Sequence, residues 1–344
     1  MTKVTIDDVA RLAGVSIKTV SRVVNQEPNV RRETRDKVEK AIAELHYTPN
    51  KAARNLASHH SHLIGLIYDD PSAYEVPSAG YVIRMQQGTL RACRRSNYEL
   101  LIHPCRFRNK DVCDELTALI EQVRPDGIVL AAPLSNMPRI VDAIAATGTP
   151  VVRLSPGTDN GGQYWVSTND REISAEMTRY LASLGHKRIA FIKGHPKHKA
   201  VGNRYLGYLD GLKQSGIEFS EDLVASGDNS IGSGETCALQ LLRQRRRPTA
   251  IFAANDDMAA GVIRIADRLG IYVPGQLSVA GCDDISLARQ VYPALTTINQ
   301  PLSAMAERAV LTLIDSVRGK QPAVGHQIVP AKIQIRDSTG PAPD

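Results

Sequence analysis

From Leu63 onward the chain repeats one pattern, in which a short apolar run is followed by an amphipathic helical stretch and then by another apolar run. "LIGLIY", "YELLIHP", "DGIVLAA", "PVVRLS", "RIAFIKG", "TAIFAAN" and "LSVAGC" read as strands, and "VIRMQQGTLRACRRS" and "AEMTRYLASLG" read as helices. Such alternation restricts the fold to mostly parallel sheets joined by crossover helices. So many strands exceed one comfortable sheet. A break near Gly161 and Gly162 divides them between two lobes, and "TTINQP" followed by the strand pair "HQIVPAK" and "KIQIRD" returns the chain to both. Ligands of open α/β sheets bind beyond the carboxyl ends of the strands, which here predicts a cleft between the lobes.

The expected strand ends carry polar groups: Asp69 and Asp70, then Asn255, Asp256 and Asp257, then Asp283 and Asp284, with Arg204 following the "IKGHPKHKAVGN" loop. Carboxylate, amide and guanidinium groups around a cleft suit a polyhydroxylated ligand. Asx residues at strand ends also cap helices, and Asp257 and Asp284 are read as structural on that ground.

The first sixty residues follow a different pattern. In "VTIDDVARLAGVSIKTVSRVVNQ", Thr5 with Asp8 forms a capping box, and Val9, Ala10, Leu12 and Ala13 give an apolar stripe at helical spacing. Gly14 permits a tight reversal, Ser16 caps the next helix, and Val20, Val23 and Val24 form its buried stripe. This is a helix-turn-helix whose outer face holds Ile17, Lys18, Ser21 and Arg22, placed as in motifs that read the major groove. Helix pairs of this kind also occur in ordinary bundles, so the flanking sequence matters. A third helix over "VRRETRDKVEKAIAELHY" closes a small core with Val38, Ala41, Ile42 and Leu45 and leaves Arg31, Arg32, Arg35, Lys37 and Lys40 outside. Residues 1–60 hold 11 Lys or Arg against 7 Asp or Glu, or +4 of a whole-chain charge of +6, so the basic excess sits where phosphate contacts are needed. After Pro49, "KAARNLA" is too short to persist as a helix alone in water and reads as a conditional hinge helix.

Taken together, these passages resemble the LacI/GalR family of transcription regulators from Val4 to about Arg336. The pieces carrying the resemblance are "TIDDVARLAGVSIKTVSRVVN", "TRDKVEKAIAELHYTPNKAARNLA", "LGHKRIAFI", "RYLGYLDGL", "ANDDMAAG", "LSVAGCDD" and "PALTTINQP". The resemblance implies an all-α helix-turn-helix DNA-binding domain at 1–47 and a hinge at 48–60. It also implies a two-lobed α/β core like periplasmic binding proteins at 61–340, with an N-lobe of about 61–166 and 301–329 and a C-lobe of about 167–300 and 330–340. DNA contacts are expected from Thr5, Ser16, Ile17, Lys18, Thr19, Ser21, Arg22, Asn25 and Asn50, and from the hinge residues Ala53 and Leu56, with Leu56 as the minor-groove wedge. Effector contacts are expected from Asp69, Tyr81, Arg204, Asn255, Asp283 and Gln300.

The sequence also departs from the lactose repressor. Arg31 stands where that protein has a serine cap, Asn229 where it has a stacking tryptophan, and Ser155 where it has a cleft aspartate. An aromatic platform would have to come from Tyr68, Tyr74, Tyr81 or Trp165. "RDSTGPAPD" offers no leucine heptad for a tetramerising coiled coil, so a homodimer is expected.

Two other classes of function compete with this one. An enzyme on the same scaffold is suggested only by His186, His195 and His198, read as surface residues beside lysines, with no nucleophile motif, phosphate loop or metal-ligand spacing nearby. A secreted sugar-binding protein conflicts with the helix-turn-helix and with the polar N-terminus. Five cysteines without a C-x-x-C pair suggest reduced thiols, and no apolar run approaches transmembrane length. The expectation is a cytoplasmic, non-enzymatic repressor with no cofactor or metal and no membrane partner. It would bind palindromic operator DNA and answer to a small effector, most simply a sugar, with a nucleobase or another metabolite as the alternative.

Overall fold

The computed structural model describes residues 4–24, 29–47, 60–70, 80–157, 164–320 and 325–343, and the chain falls into two compact units, Met1–Ser61 and His62–Asp344.

The first unit has three helices, α1 (Ile6–Ala13), α2 (Ile17–Val24) and α3 (Arg32–Glu44). The Asp8 carboxylate accepts from the Thr5 backbone N–H at 2.9 Å and from its hydroxyl at 2.8 Å, which fixes the start of α1 and holds the Asp8 carboxyl below its ordinary range. Gly14 ends α1 at φ +66°, a left-handed position that suits glycine. Ser16 Oγ accepts from Thr19 N at 3.2 Å at the start of α2. Val9, Ala10, Val20, Val23, Val38 and Ala41 form the core, with Ile42 and Leu45 packed on it.

Leu12 departs from the expected stripe and is 46% exposed. Its phase explains this. At about 100° per residue, Ile6, Val9, Ala10 and Ala13 span one face, and Leu12 lies roughly 110° from its centre.

The second unit begins with β1 (Leu63–Asp69), α4 (Gly80–Arg95), β2 (Glu99–Cys105), α5 (Val112–Val123), β3 (Gly127–Ala131), α6 (Pro138–Ala146), β4 (Val151–Leu154) and β5 (Tyr164–Ser167). It continues through α7 (Asp170–Ser183), β6 (Ile189–Lys193), α8 (Lys199–Gln214), β7 (Val224–Ser226), α9 (Ile231–Leu242), β8 (Ala250–Ala253), α10 (Asp256–Arg268), β9 (Ser278–Cys282), α11 (Leu287–Gln290) and β10 (Thr296–Asn299). It ends with α12 (Leu302–Val317), β11 (His326–Ile328) and β12 (Lys332–Gln334).

The strands form two sheets, ordered β11-β5-β4-β3-β1-β2 and β12-β10-β9-β8-β6-β7. All pairings are parallel except β10 with β12. Helices cover the sheets, so β3, β8 and β9 are buried at every residue, and β3 and β8 read as unbroken apolar runs. The chain changes sheet after β5, after β10 and after β11. Apolar clusters flank each sheet: Ile64, Leu66 and Val129 pack with α12, Leu116, Ile128 and Ile140 fill the opposite face, and in the second lobe Phe191 stacks on Tyr208 and meets Phe252 edge to face. The break expected at Gly161 and Gly162 lies outside the described residues, as do Tyr74 and most of the hinge segment. Strands β5 (four residues) and β7 (three residues) were not expected from the sequence.

Candidate functional site

Two surfaces carry the expected site residues, one in each unit. In the first, Ile17 (47% exposed), Lys18 and Arg22 stand outward on α2, while Thr19 and Ser21 are half-buried beside them. Thr5 and Ser16 are exposed, and their hydroxyls serve the helix starts, Thr5 by donating to Asp8 and Ser16 by bonding Thr19. These seven residues keep two cations and an apolar side chain free of the valine core. Arg31 precedes α3 without a side-chain cap. Asn25, Asn50, Ala53 and Leu56 lie outside the described residues.

In the second unit, a cavity of about 260 Å³ opens between the lobes at the carboxyl ends of strands from both sheets. The first lobe contributes Tyr68 and Asp69 at the end of β1, Tyr81 from α4, Phe107 and Arg108 just past β2, and Ser155 just past β4. The second contributes His195 and His198 after β6, Arg204 from α8, Asp228 and Asn229 after β7, Asn255 and Asp257 after β8, and Asp283 after β9.

A buried ion network forms the floor. Arg204 is 5% exposed; its Nε donates to Asp170 at 2.9 Å, and its Nη1 donates to the Ala254 carbonyl and, at 3.4 Å, to Asp283 Oδ1. Gln300 Nε2 donates to the same Asp283 oxygen at 2.5 Å. Burial pushes the Asp283 carboxyl up to about 7, with Asp257 and Asp170 adding repulsion that Arg204 and Gln300 oppose. Burial also raises Asp170, against the pull of Arg204, and raises Asp256, next to Asp283. Tyr81 is pushed up to about 12 by burial and by the nearby Asp283, so it meets a ligand as a neutral phenol. Burial lowers His198 to about 3, with the adjacent His195 and the Arg204 guanidinium acting in the same direction, and the ring is a neutral imidazole.

Several sequence readings change here. Asp69, Tyr81, Arg204, Asn255 and Asp283 line one cavity, whereas Gln300, 1% exposed, stands behind Asp283 and orients it. Asn255 uses both ends of its amide within the protein: Oδ1 accepts from Met258 N at 3.0 Å to cap α10, and Nδ2 donates to the Asn229 carbonyl at 2.9 Å. Asp257, read as a cap, is on the cavity wall. Asp284 is held by Arg336, Asn299 and Arg289.

Trp165 stacks on His326 at 4.9 Å and does not line the cavity, because β5 sits toward the far edge of its sheet. The aromatic faces come from Tyr68, Tyr81 and Phe107. Phe107 was missed, although an aromatic two residues past a strand end was the available signal. The histidines are not surface residues. His186 is fully buried, bonding Thr249, Ser278 and the Gly340 carbonyl, and His195 and His198 face the cavity. A lysine-rich loop hid them, since charged neighbours suggest a solvated loop wherever the loop folds inward.

Among the described residues no group of His, Cys, Asp or Glu is placed to hold a metal ion, and no helix is long and apolar enough to cross a membrane. All five cysteines are free thiols.

Residues 5–50 match the family described as bacterial regulatory proteins, lacI family, and residues 178–339 match a periplasmic binding protein-like domain. An HTH-type transcriptional repressor PurR of Erwinia tasmaniensis is 34% identical over 320 residues, covering 92% of this chain and 91% of the relative. A PurR of Yersinia enterocolitica is 35% identical over 322 residues with the same coverage. The lac repressor dimer bound to operator and the anti-inducer ONPF has 29% identity and a TM-score of 0.80, with 98% of this chain and all of that one covered. The complex of transcriptional regulator CelR with cellobiose has 27% identity and a TM-score of 0.75, with the same coverage.

Proposed function

Because this chain belongs to the lacI family of bacterial regulatory proteins, we propose that its two surfaces work as operator reader and effector sensor of one homodimeric repressor acting in the cytoplasm. It is a DNA-binding transcriptional repressor and not an enzyme. The effector is read as a neutral, polyhydroxylated molecule, most simply a sugar. The observation that carries this reading is the ring of carboxylates, Asp69 from one lobe and Asp228, Asp257 and Asp283 from the other, around a single cavity. Carboxylates accept hydrogen bonds from hydroxyls and repel an anionic ligand, while Tyr68, Tyr81 and Phe107 offer apolar faces to the ring carbons.

The second reading is a nucleobase. It is favoured by the PurR relatives and by the same aromatic faces, which suit a planar heterocycle. Thermal-shift screening with cellobiose, other neutral sugars, hypoxanthine and guanine separates the two, followed by calorimetry and DNA binding with each hit. The expected result is stabilisation by a neutral sugar that is lost in Asp69→Ala. Stabilisation by nucleobases alone replaces the sugar reading, and binding that survives Asp69→Ala unchanged removes the cavity assignment.

For the operator surface, Lys18 and Arg22 are assigned to guanine edges and Ile17 to a thymine methyl. Arg22→Ala is expected to weaken binding to a selected palindromic site by about 1 to 3 kcal/mol while changing binding to a scrambled duplex far less. Equal losses on both duplexes, measured by fluorescence anisotropy, would show that Arg22 contacts phosphate only.

A further inference from the structure

Helix α4 of the first lobe reaches directly onto the loop that carries Asp283. Arg84 Nη1 donates to the Asp283 carbonyl and to the Asp284 carbonyl, both at 2.9 Å. Gly80, at the first turn of the same helix, lies so close to Ile285 that an added Cβ would meet the Ile285 side chain at 2.9 Å. The carbonyls are turned toward Arg84 by an uncommon backbone: Asp283 has φ +120° and Asp284 φ +52°, consecutive non-glycine residues in the left-handed region.

The second lobe holds that turn from the other side. Asp283 N donates to the Ile298 carbonyl at 2.9 Å and its carboxylate is gripped by Gln300, while the Asp284 carboxylate is bonded by Arg336 and Asn299. One residue, Asp283, therefore presents its carboxylate to the cavity and its carbonyl to the opposite lobe. Arg84 is also anchored at its back, where its own carbonyl accepts from Ser303 Oγ at 2.8 Å, which links it to α12.

We propose that Arg84 is an inter-lobe strap that holds the cleft closed and relays the orientation of Asp283 to helix α4. A ligand that pulls on the Asp283 carboxylate must turn the Asp283–Asp284 peptide, and the Arg84 bonds strengthen or break with that turn. Calling that ligand the effector rests on the reading above. The strap itself does not, and it is tested with no small molecule present.

The test is hydrogen–deuterium exchange on the full-length protein, comparing the native chain with Arg84→Met and Arg84→Lys. A packing role would affect only residues 80–95 and 283–290. A strap also controls the distant cleft contacts, where Arg108 Nη2 meets His195 Nε2 at 3.1 Å, Asn136 Nδ2 donates to the Lys197 carbonyl at 3.3 Å and Asn203 Nδ2 donates to the Gly157 carbonyl at 3.1 Å. In Arg84→Met the segments around 106–110, 134–137 and 195–200 are expected to exchange at least about tenfold faster, with β8 unchanged. Arg84→Lys, whose ammonium can still donate to both carbonyls, is expected to restore most of the protection. Faster exchange confined to 80–95 and 283–290, no change at all, or loss of protection in β8 would each overturn the strap.

Discussion

Replacing Arg204 with methionine is expected to destabilise the core by about 3 to 5 kcal/mol near about pH 8 and to abolish the effector response. The guanidinium is buried with bonds to Asp170, Asp283 and the Ala254 carbonyl, and methionine leaves the first two carboxylates without their cation. The pH dependence tests the cause. Burial already places the Asp283 carboxyl at about 7 with Arg204 present, well above the ordinary carboxylate value of about 3.9. The folded state then holds a proton that the unfolded chain releases, so this group's contribution is fullest below the unfolded value and is lost as pH rises through about 7. Without Arg204 both carboxyls move further up. The difference between native chain and variant is therefore expected to be small at about pH 5 and large at about pH 8. Urea unfolding of both proteins at the two pH values measures it, and a deficit that is equal at both would mean that lost packing, not uncompensated charge, is the cause.

Asp170 shows where sequence reasoning stopped. It opens α7, lies 34 residues before Arg204 and does not line the cavity, so no local pattern marks it. Only the packing of α7 against α8 brings the pair together. Arg84 was obscured in the same way, since its bonds span 199 and 200 residues of chain.

The expected strands, by contrast, could be read because helices bury both faces of a parallel sheet, and apolar runs such as "GIVLA" and "AIFA" are the direct result. Their carboxyl ends then point to the cavity residues Asp69, Asn255 and Asp283 without further information. What the pattern misses is phase and loop direction. Leu12 falls outside its helix's buried face by its angle alone, and the loop holding His195 and His198 turns into the cleft despite its lysines.

A chain beginning at His62 is expected to lose operator binding completely while keeping its fold and its ligand response. The reason lies in which side chains build each core. Among the described residues the helix-turn-helix core is built from Val9, Ala10, Val20, Val23, Val38 and Ala41, with Ile42 and Leu45 packed on it, and both sheets and their clusters begin after His62. Removing the first therefore removes the base-reading side chains Ile17, Lys18 and Arg22, and with them the roughly 10³-fold or greater preference that separates specific from non-specific DNA binding. The two units also differ in robustness. A unit of about 60 residues buries a smaller fraction of its surface on folding and is marginal alone, whereas the larger unit has enough chain for two full cores. Calorimetry of the intact chain is thus expected to show a small early transition, absent from the chain beginning at His62, and a main transition common to both. A shortened chain that melts without cooperativity, or that no longer responds to the sugar or base that stabilises the intact protein, would mean that the DNA-reading unit is part of the structure of the cleft.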